Sequence, residues 1–117
     1  MSTVATLPHD PSGGAVIHLG RTGARVARDR ATGGPEIVAV PRRSRARRPE
    51  PYLLRILHAV GERAPLVIGG VPDERTALER ELVRIGHQPE RFIEDPRLDP
   101  VDEALRARLR ALHSHPG

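Results

Sequence analysis

Three short runs of apolar and β-branched residues, each bounded by turn-forming residues, dominate the first part of the chain. Residues 15–19 (AVIHL) are largely apolar and stop at Gly20, residues 24–28 (ARVAR) alternate with arginine, and residues 36–40 (EIVAV) follow a Gly-Gly-Pro turn. Short runs of this kind between turns are typical of strands. Three strands joined by short turns predict an antiparallel meander.

The second part of the chain shows the 3.6-residue periodicity of amphipathic helices. Pro51 suits a first helical position, and an apolar stripe follows it. The stripe of this first helix consists of Leu53, Ile56, Leu57 and Val60. The stripes of the second and third helices consist of Ala77, Leu78, Leu82 and Ile85, and of Val101, Leu105, Leu109 and Leu112. The sequence therefore predicts three helices that each bury one face.

Capping signals delimit the second and third helices. Asp73 is the predicted N-cap of the second helix, with Glu74 in its acidic first turn, and Gly86 is the predicted C′ residue. Asp99 is the predicted N-cap of the third helix, with Pro100 at N1. These signals bound the second helix at both ends and fix the start of the third.

Two further strands are predicted between the helices. Residues 65–71 (PLVIGGV) are almost continuously apolar, which is typical of a strand covered on both faces, and residues 91–94 (RFIE) predict a short edge strand. The element order is therefore βββαβαβα. A meander followed by crossovers packs as one mixed sheet with helices over its faces. The predicted fold is α/β, with a five-stranded sheet in the order 3-2-1-4-5, the plan of ribonuclease H-like domains.

Length and composition limit the domain organisation. The 117 residues fit one domain, predicted over residues 14–112, with a disordered arm at 1–13 and a frayed tail at 113–117. The core is thin, because the chain has one Phe, one Tyr and no Trp. A second copy covering one face would add to such a core, so a homodimer is a plausible assembly.

The absence of cysteine excludes disulfides, thiolate metal sites and cysteine nucleophiles, and it fits a reducing compartment. No apolar run approaches the roughly 20 residues that span a bilayer, and the N-terminus lacks the pattern of a signal peptide. These features predict a cytoplasmic protein.

Positive charge is concentrated in one place. The net charge is +4, but residues 1–49 carry nine arginines against three acids, whereas residues 50–117 carry ten arginines against twelve acids. Five arginines lie within seven residues, a stretch that we call the arginine segment (42–48), inside a predicted exposed loop at 41–50. Its arginines are Arg42, Arg43, Arg45, Arg47 and Arg48.

The arginine segment is a candidate site for RNA or another polyanion, because five uncompensated charges repel one another until a polyanion neutralises them. The contacts would be to backbone phosphates, since two aromatic residues provide no platform for stacking bases. A solubilising loop without a partner is the main alternative. A lipid-surface or calmodulin-like role is less favoured, because the loop has no apolar anchors of its own.

Other candidate chemistry is weaker. Gly69 and Gly70 precede a helix, as in nucleotide-binding loops, but Asp73 and Glu74 at that helix start would repel a phosphate. The six histidines do not form a metal-binding pattern. A ribonuclease H active site requires carboxylates on the central strands, and Glu36 is the only acid in the first four predicted strands. We expect no catalytic residues, no metal and no cofactor.

The order of elements and three groups of residues resemble the middle domain of eukaryotic and archaeal-type peptide release factors and of Pelota, which has shorter relatives in bacteria. The meander matches the opening strands of that domain. Val40-Pro41-Arg42-Arg43, the loop and Tyr52-Leu53-Leu54-Arg55 match its strand, basic loop and helix. Residues 66–76 match its next strand and turn. The resemblance spans roughly residues 14–112.

The chain departs from this family at the family's catalytic tip. Where the family has Gly-Gly-Gln, this chain has Arg-Ser-Arg-Ala-Arg-Arg at 43–48, and its only glutamine is Gln88. In the family the glutamine positions the water that releases the nascent chain, so the resemblance implies no peptidyl-tRNA hydrolysis here. It leaves a basic loop that could contact ribosomal or transfer RNA.

The sequence thus predicts a non-enzymatic protein that binds RNA or the ribosome through the arginine segment. The alternative is a homodimeric protein–protein interaction module whose basic loop contacts an acidic partner. A diverged hydrolase with an unrecognised catalytic group is a third reading. Salt dependence distinguishes the first two, because phosphate contacts weaken steeply with salt and a hydrophobic interface does not.

Overall fold

The structure, a computed structural model, describes residues 13–30, 33–42 and 50–113. Within these ranges the element order is βββαβαβα, as predicted, with a short 3-10 turn at Pro89–Arg91 before the last strand. The elements are β1 (Ala15–Leu19), β2 (Gly23–Asp29), β3 (Pro35–Pro41), α1 (Glu50–Val60), β4 (Leu66–Gly70), α2 (Pro72–Arg84), β5 (Phe92–Glu94) and α3 (Asp102–His113).

The five strands form one mixed sheet in the order β3-β2-β1-β4-β5, which confirms the predicted order. The pairs β1–β2 and β2–β3 are antiparallel, and the pairs β1–β4 and β4–β5 are parallel. Four strands, β3, β1, β4 and β5, therefore run in one direction, and β2 alone runs in the other. The carboxyl ends of those four strands lie along one edge of the sheet, which we call the carboxyl edge.

Two hydrophobic clusters cover the two faces of the sheet. The larger lies under α1 and α2 and includes Ile17 and Ile68 from the central strands. The smaller lies under α3, where Leu105 and Leu109 pack on Val16 of β1 and Val67 of β4. Strand β4 is therefore covered on both faces, as its continuous apolar run predicts.

The predicted stripe of α1 is confirmed, since all four of its residues are buried. The other two stripes are each wrong at one end, because Ile85 is 53% exposed and Val101 is 55% exposed. Ile85 is the C-cap of α2, and Val101 precedes the first residue of α3. Both lie where the helical spacing no longer fixes the direction of a side chain.

The helix starts also differ from the prediction. The N-cap of α2 is Val71 and not Asp73, because Pro72 occupies the first turn, where its missing N–H and fixed φ are tolerated. Asp99 does accept a hydrogen bond from the Val101 N–H at 3.2 Å, but α3 begins only at Asp102. Gly86, with φ +111°, follows the C-cap of α2 as predicted.

Two glycines allow close packing at the carboxyl end of β4. A Cβ on Gly70, whose φ is +108°, would lie 2.1 Å from the carbonyl oxygen of Leu19. A Cβ on Gly69 would lie 2.6 Å from the carbonyl oxygen of Asp95 and 2.7 Å from Leu98. The glycine pair thus lets β4 meet both β1 and the connection between β5 and α3. This packing role agrees with the tight strand–helix turn that the sequence favours over a nucleotide loop.

Among the described residues, no helix combines the length and the apolar character needed to cross a membrane. The predicted arm at 1–13 and tail at 113–117 lie almost entirely outside the described residues, which include Gly13 and the main chain of His113.

Candidate nucleic-acid interface

Arg42, the first residue of the arginine segment, and Glu50, which follows the segment, lie at the carboxyl edge. On one side β3 ends at Pro41, and the N–H of Arg42 donates to the carbonyl oxygen of Thr22, in the turn between β1 and β2, at 2.9 Å. On the other side α1 begins at Glu50. Arg43, Arg45, Arg47 and Arg48 lie outside the described residues, so Arg42 is the only predicted site residue whose contacts are defined.

Arg42 connects three elements through its side chain. Its guanidinium forms an ion pair with Glu74 in the first turn of α2, and it lies over the ring of Tyr52 of α1, 5.2 Å from the ring centroid. Its side chain remains 35% exposed. Arg42 therefore both fixes the base of the segment and keeps part of its charge accessible to solvent.

Tyr52 is the buried half of this contact. The residue is 2% exposed, and its hydroxyl has no hydrogen-bond partner among the described residues. Burial, and secondarily the nearby Glu74 carboxylate, raises the pKa of Tyr52, so the phenol stays neutral at physiological pH. The ring thus provides an uncharged surface on which the Arg42 guanidinium rests.

Two further arginines border the base of the segment, and the sequence analysis did not select either. Arg55 of α1 donates to the carbonyl oxygen of Pro41 at 3.0 Å, and exposed Arg21 adjoins Thr22 in the turn that binds Arg42. Neither has an acidic partner among the described residues. Their positions in the sequence could have pointed to them. Arg21 closely follows the carboxyl end of β1, and Arg55 lies in the second turn of α1, the helix that follows the arginine segment.

Six arginines elsewhere in the described residues form ion pairs with neighbouring acids. Arg28 of β2, for example, donates to Glu36 of β3 at 2.8 Å and to the carbonyl oxygen of Ala59 at 2.7 Å. The further pairs are Arg25–Asp102, Arg75–Glu94, Arg84–Glu81, Arg106–Glu103 and Arg108–Asp95.

The described residues contain no group of three or more His, Asp or Glu side chains suited to a metal ion. Strand β2 extends to Asp29, so the first four strands contain two acids, Asp29 and Glu36, and not one as predicted. Glu36 is paired with Arg28. Both acids lie at the edge of the sheet opposite Arg42. Burial lowers the pKa of His18, which lies on β1 under α3, against the opposing effect of Asp99.

One carboxyl pair is unusual. Burial and the neighbouring Glu94 carboxylate, which shares a hydrogen bond with it, raise the pKa of Glu79. The Oε2 atom of Glu79 is buried without a hydrogen-bond partner among the described residues. Arg75 lies 3.5 Å from Glu94 and partly offsets the shift. The pair lies between α2 and β5, away from the arginine segment.

Comparison of the chain with models of known protein families, with curated proteins and with solved structures returns no significant match.

Proposed function

We propose that this chain is a non-catalytic protein that binds RNA, or the ribosome through its RNA, by means of the arginine segment. The observation that carries the proposal is the arrangement at the base of the segment. Arg42 is fixed between Tyr52 and Glu74, and Arg21 and Arg55 lie beside it without acidic partners. A local excess of arginine at a fixed position is what binding to a polyanion requires.

The position of the segment in the fold supports the same function. In open α/β sheets, ligands bind outside the carboxyl ends of the strands, where connecting loops from several strands converge. The arginine segment joins the carboxyl end of β3 to α1, beside the turn after β1 and the start of α2. A long ligand lying on this edge would meet Arg21, Arg42 and Arg55.

The chemistry of the segment favours phosphates over bases. Arginine forks pair with phosphate oxygens in a bidentate way, and the single Tyr is occupied beneath Arg42. Binding of this type is largely independent of sequence and falls steeply with salt. The proposed partner is therefore structured RNA, such as ribosomal or transfer RNA, recognised through its backbone.

We further propose that the sheet is a ribonuclease H-like arrangement of the kind found in the middle domain of release factors and Pelota. The strand order β3-β2-β1-β4-β5 agrees with that plan. The family's Gly-Gly-Gln is missing, and Gln88 lies after the C-terminus of α2, at the opposite edge of the sheet from Arg42. The proposed function therefore keeps RNA contact and omits peptidyl-tRNA hydrolysis.

The test is co-sedimentation with ribosomes over a salt series. The loop variant carries Arg43, Arg45, Arg47 and Arg48→Ala and keeps Arg42, whose side chain has structural contacts. The matched control carries Arg30, Arg80, Arg91 and Arg97→Ala, four exposed arginines that form no ion pair among the described residues. Both variants lower the net charge of +4 by the same four units.

We expect wild type and control to sediment with ribosomes at low salt and the loop variant to remain in the supernatant. Four phosphate contacts predict a slope on the order of 3 log units of affinity per tenfold change in salt. Equal losses for the loop variant and the control would show that only net charge matters. No sedimentation of the wild type at low salt would overturn the proposal and favour an acidic protein as the partner of the segment.

A further inference from the structure

Strand β3 is the long edge of the sheet. It has seven residues and pairs only with β2 among the described residues, whereas the other edge strand, β5, has three. Very short edge strands are one way in which proteins avoid pairing with other chains. Strand β3 lacks that protection and carries prolines only at its ends, Pro35 and Pro41.

The direction of each main-chain group of β3 follows from two hydrogen bonds. The Arg42 N–H donates to Thr22, and the Gly34 carbonyl oxygen accepts from the Arg30 N–H, both on the β2 side. Main-chain N–H and C=O groups alternate in direction along an antiparallel strand. Those of the even-numbered residues of β3 therefore point toward β2, and those of the odd-numbered residues point away from the sheet. The carbonyl of Pro41 does face outward, since it accepts from Arg55.

The free edge therefore presents two N–H donors, those of Ile37 and Ala39, because Pro35 and Pro41 have none. A second β3 strand, laid antiparallel with Val38 at the two-fold axis, aligns Ile37 of each copy with Ala39 of the other. Each of these pairs exchanges two hydrogen bonds, so all four donors of the two edges are used. The prolines then face each other, where no donor is needed.

The side chains agree with this pairing. Glu36, Val38 and Val40 lie on the α1 face of the sheet, since the two valines join the cluster under α1 and α2. In the two-fold arrangement Glu36 of one copy lies opposite Val40 of the other, next to the Pro41 carbonyl that Arg55 binds. Arg55 has no acidic partner among the described residues and would meet the Glu36 carboxylate of the second copy, beside the Arg28 of that copy with which it is already paired.

The groove beside the strand also fits this occupant. An open groove of about 340 Å³ lies between β3 and α1, floored by Val38, Val40 and Ala59 and bordered by Arg55 and His58. The two Val38 side chains would meet across the axis at the mouths of the two grooves. The apolar floor would then be covered by the equivalent surface of the other copy.

We propose that two copies of this chain pair through their β3 edges to form a continuous ten-stranded sheet. The proposal rests on the edge and stands whether or not the arginine segment binds RNA. The two segments would follow carboxyl ends about 20 Å apart, the length of six residues of strand. That separation exceeds a Debye length at physiological salt, so their mutual repulsion is screened.

The main test uses single cysteines, because the natural chain has none. The two Val38 residues form a non-hydrogen-bonded pair with Cα atoms about 4.5 Å apart, within the range for a disulfide. Val38→Cys should form a covalent dimer under mild oxidation. The control Pro35→Cys should not, because its two copies lie about 20 Å apart in this register.

Solution mass provides the second measurement. Sedimentation equilibrium should give twice the chain mass for the wild type, and Ala39→Pro should weaken self-association by a factor on the order of ten or more, since it removes two of the four hydrogen bonds. Ala39→Ser keeps the N–H and is the control. The main-chain N–H of Ala39 points away from β2, so a proline at this position leaves the hydrogen bonds between β2 and β3 intact. Circular dichroism checks that the variant remains folded.

The outcomes separate clearly. A dimer that Val38→Cys traps and Ala39→Pro dissociates supports the proposal. A wild type that stays monomeric at high concentration while Val38→Cys remains unlinked overturns it, as does a dimer that Val38→Cys fails to trap. If the Ala39→Pro variant does not fold, amide hydrogen exchange of the wild type is measured instead. Slow exchange at Ile37 and Ala39 supports pairing, and fast exchange there beside protected Val38 and Val40 contradicts it.

Discussion

Arg42 shows how one residue can serve both the fold and a candidate site. It lies at the start of the arginine segment, yet its guanidinium is held by Glu74 and rests on Tyr52. A carboxylate that pairs with an arginine occupies the position that a phosphate would otherwise take. Glu74 therefore competes with any polyanion for Arg42, whereas the other arginines of the segment owe their role to sequence alone.

Glu74→Gln is predicted to strengthen RNA binding. Removing the carboxylate releases Arg42 from a partly buried ion pair worth about 1 kcal/mol, so affinity should rise by a factor of about five at low salt. Fluorescence anisotropy with a labelled RNA duplex measures the change. Glu81→Gln, which removes the Glu81–Arg84 pair on the same helix, is the control. Equal affinities for the two variants would contradict competition at Arg42.

Glu79→Gln is predicted to change the pH dependence of stability. Because the pKa of Glu79 is raised above its ordinary value near 4.5, the folded state holds the proton more tightly than the unfolded state. The contribution of Glu79 to the free energy of unfolding therefore falls as pH rises above about 4.5. Glutamine removes this loss, so the variant should gain stability relative to wild type between pH 4 and 7.

Urea denaturation at a series of pH values measures this gain. Glu94 and Arg75 are the charged groups that face Glu79, and both remain in the variant. Glu90→Gln, an exposed change on the connection to β5, serves as the control and should leave the pH profile parallel to that of wild type. A constant difference between Glu79→Gln and wild type across the range would argue against a raised pKa of Glu79.

At the scale of elements, the two faces of the sheet are unequally covered. Helices α1 and α2 together bury the larger cluster, whereas α3 alone covers the other face with Leu105 and Leu109 as its fully buried residues. Apolar burial on this face is thus concentrated in few side chains. The attachment of α3 should depend strongly on each of them.

Leu105→Ala is predicted to destabilise the protein by about 2–5 kcal/mol, the usual result of removing a fully buried leucine. Leu54→Ala on α1, where the leucine is 58% exposed, should change the free energy of unfolding by less than about 0.5 kcal/mol. Urea denaturation followed by circular dichroism compares the two. Similar midpoints for both variants would mean that α3 contributes little to the cooperative unit.

At the scale of the whole molecule, the contacts that define the fold in the described residues lie outside residues 43–49, where four of the five arginines of the segment are found. The contacts that secure the base of the arginine segment come from Thr22, Pro41, Arg42, Tyr52 and Arg55, all of which lie outside residues 43–49. The core clusters among the described residues are likewise built from the sheet, the helices and Leu98 of the connection between β5 and α3. The segment can therefore be exchanged while its anchors remain.

Replacing residues 43–49 with a Gly/Ser linker of the same length is predicted to preserve the fold and abolish RNA binding. Equal loop length keeps the closure entropy similar, so the free energy of unfolding should shift by no more than about 1 kcal/mol. Thermal denaturation and RNA binding are measured on the same preparation. Loss of cooperative unfolding would show that the segment belongs to the core, and retained binding would move the interface elsewhere.

Local pattern was sufficient for much of this architecture. The continuous apolar run of β4, the alternation in β2 and the stripe of α1 each report burial directly, because side chains at fixed spacing share a face. The element order and strand order followed from those elements. The limits of the helices were less predictable, since Pro72 moved the start of α2 ahead of Asp73 and the side chains of Ile85 and Val101 fell outside helical geometry.

The sequence by itself determined the kinds of elements, their order and the concentration of charge in the arginine segment, because these depend on residues close together in the chain. Only the tertiary structure decided which distant residues meet. It brought Glu74 and Tyr52 to Arg42, set Arg21 and Arg55 beside the segment, and left the β3 edge unpaired among the described residues. Such contacts depend on how crossovers fold the chain back onto one edge of a sheet, which no local pattern records.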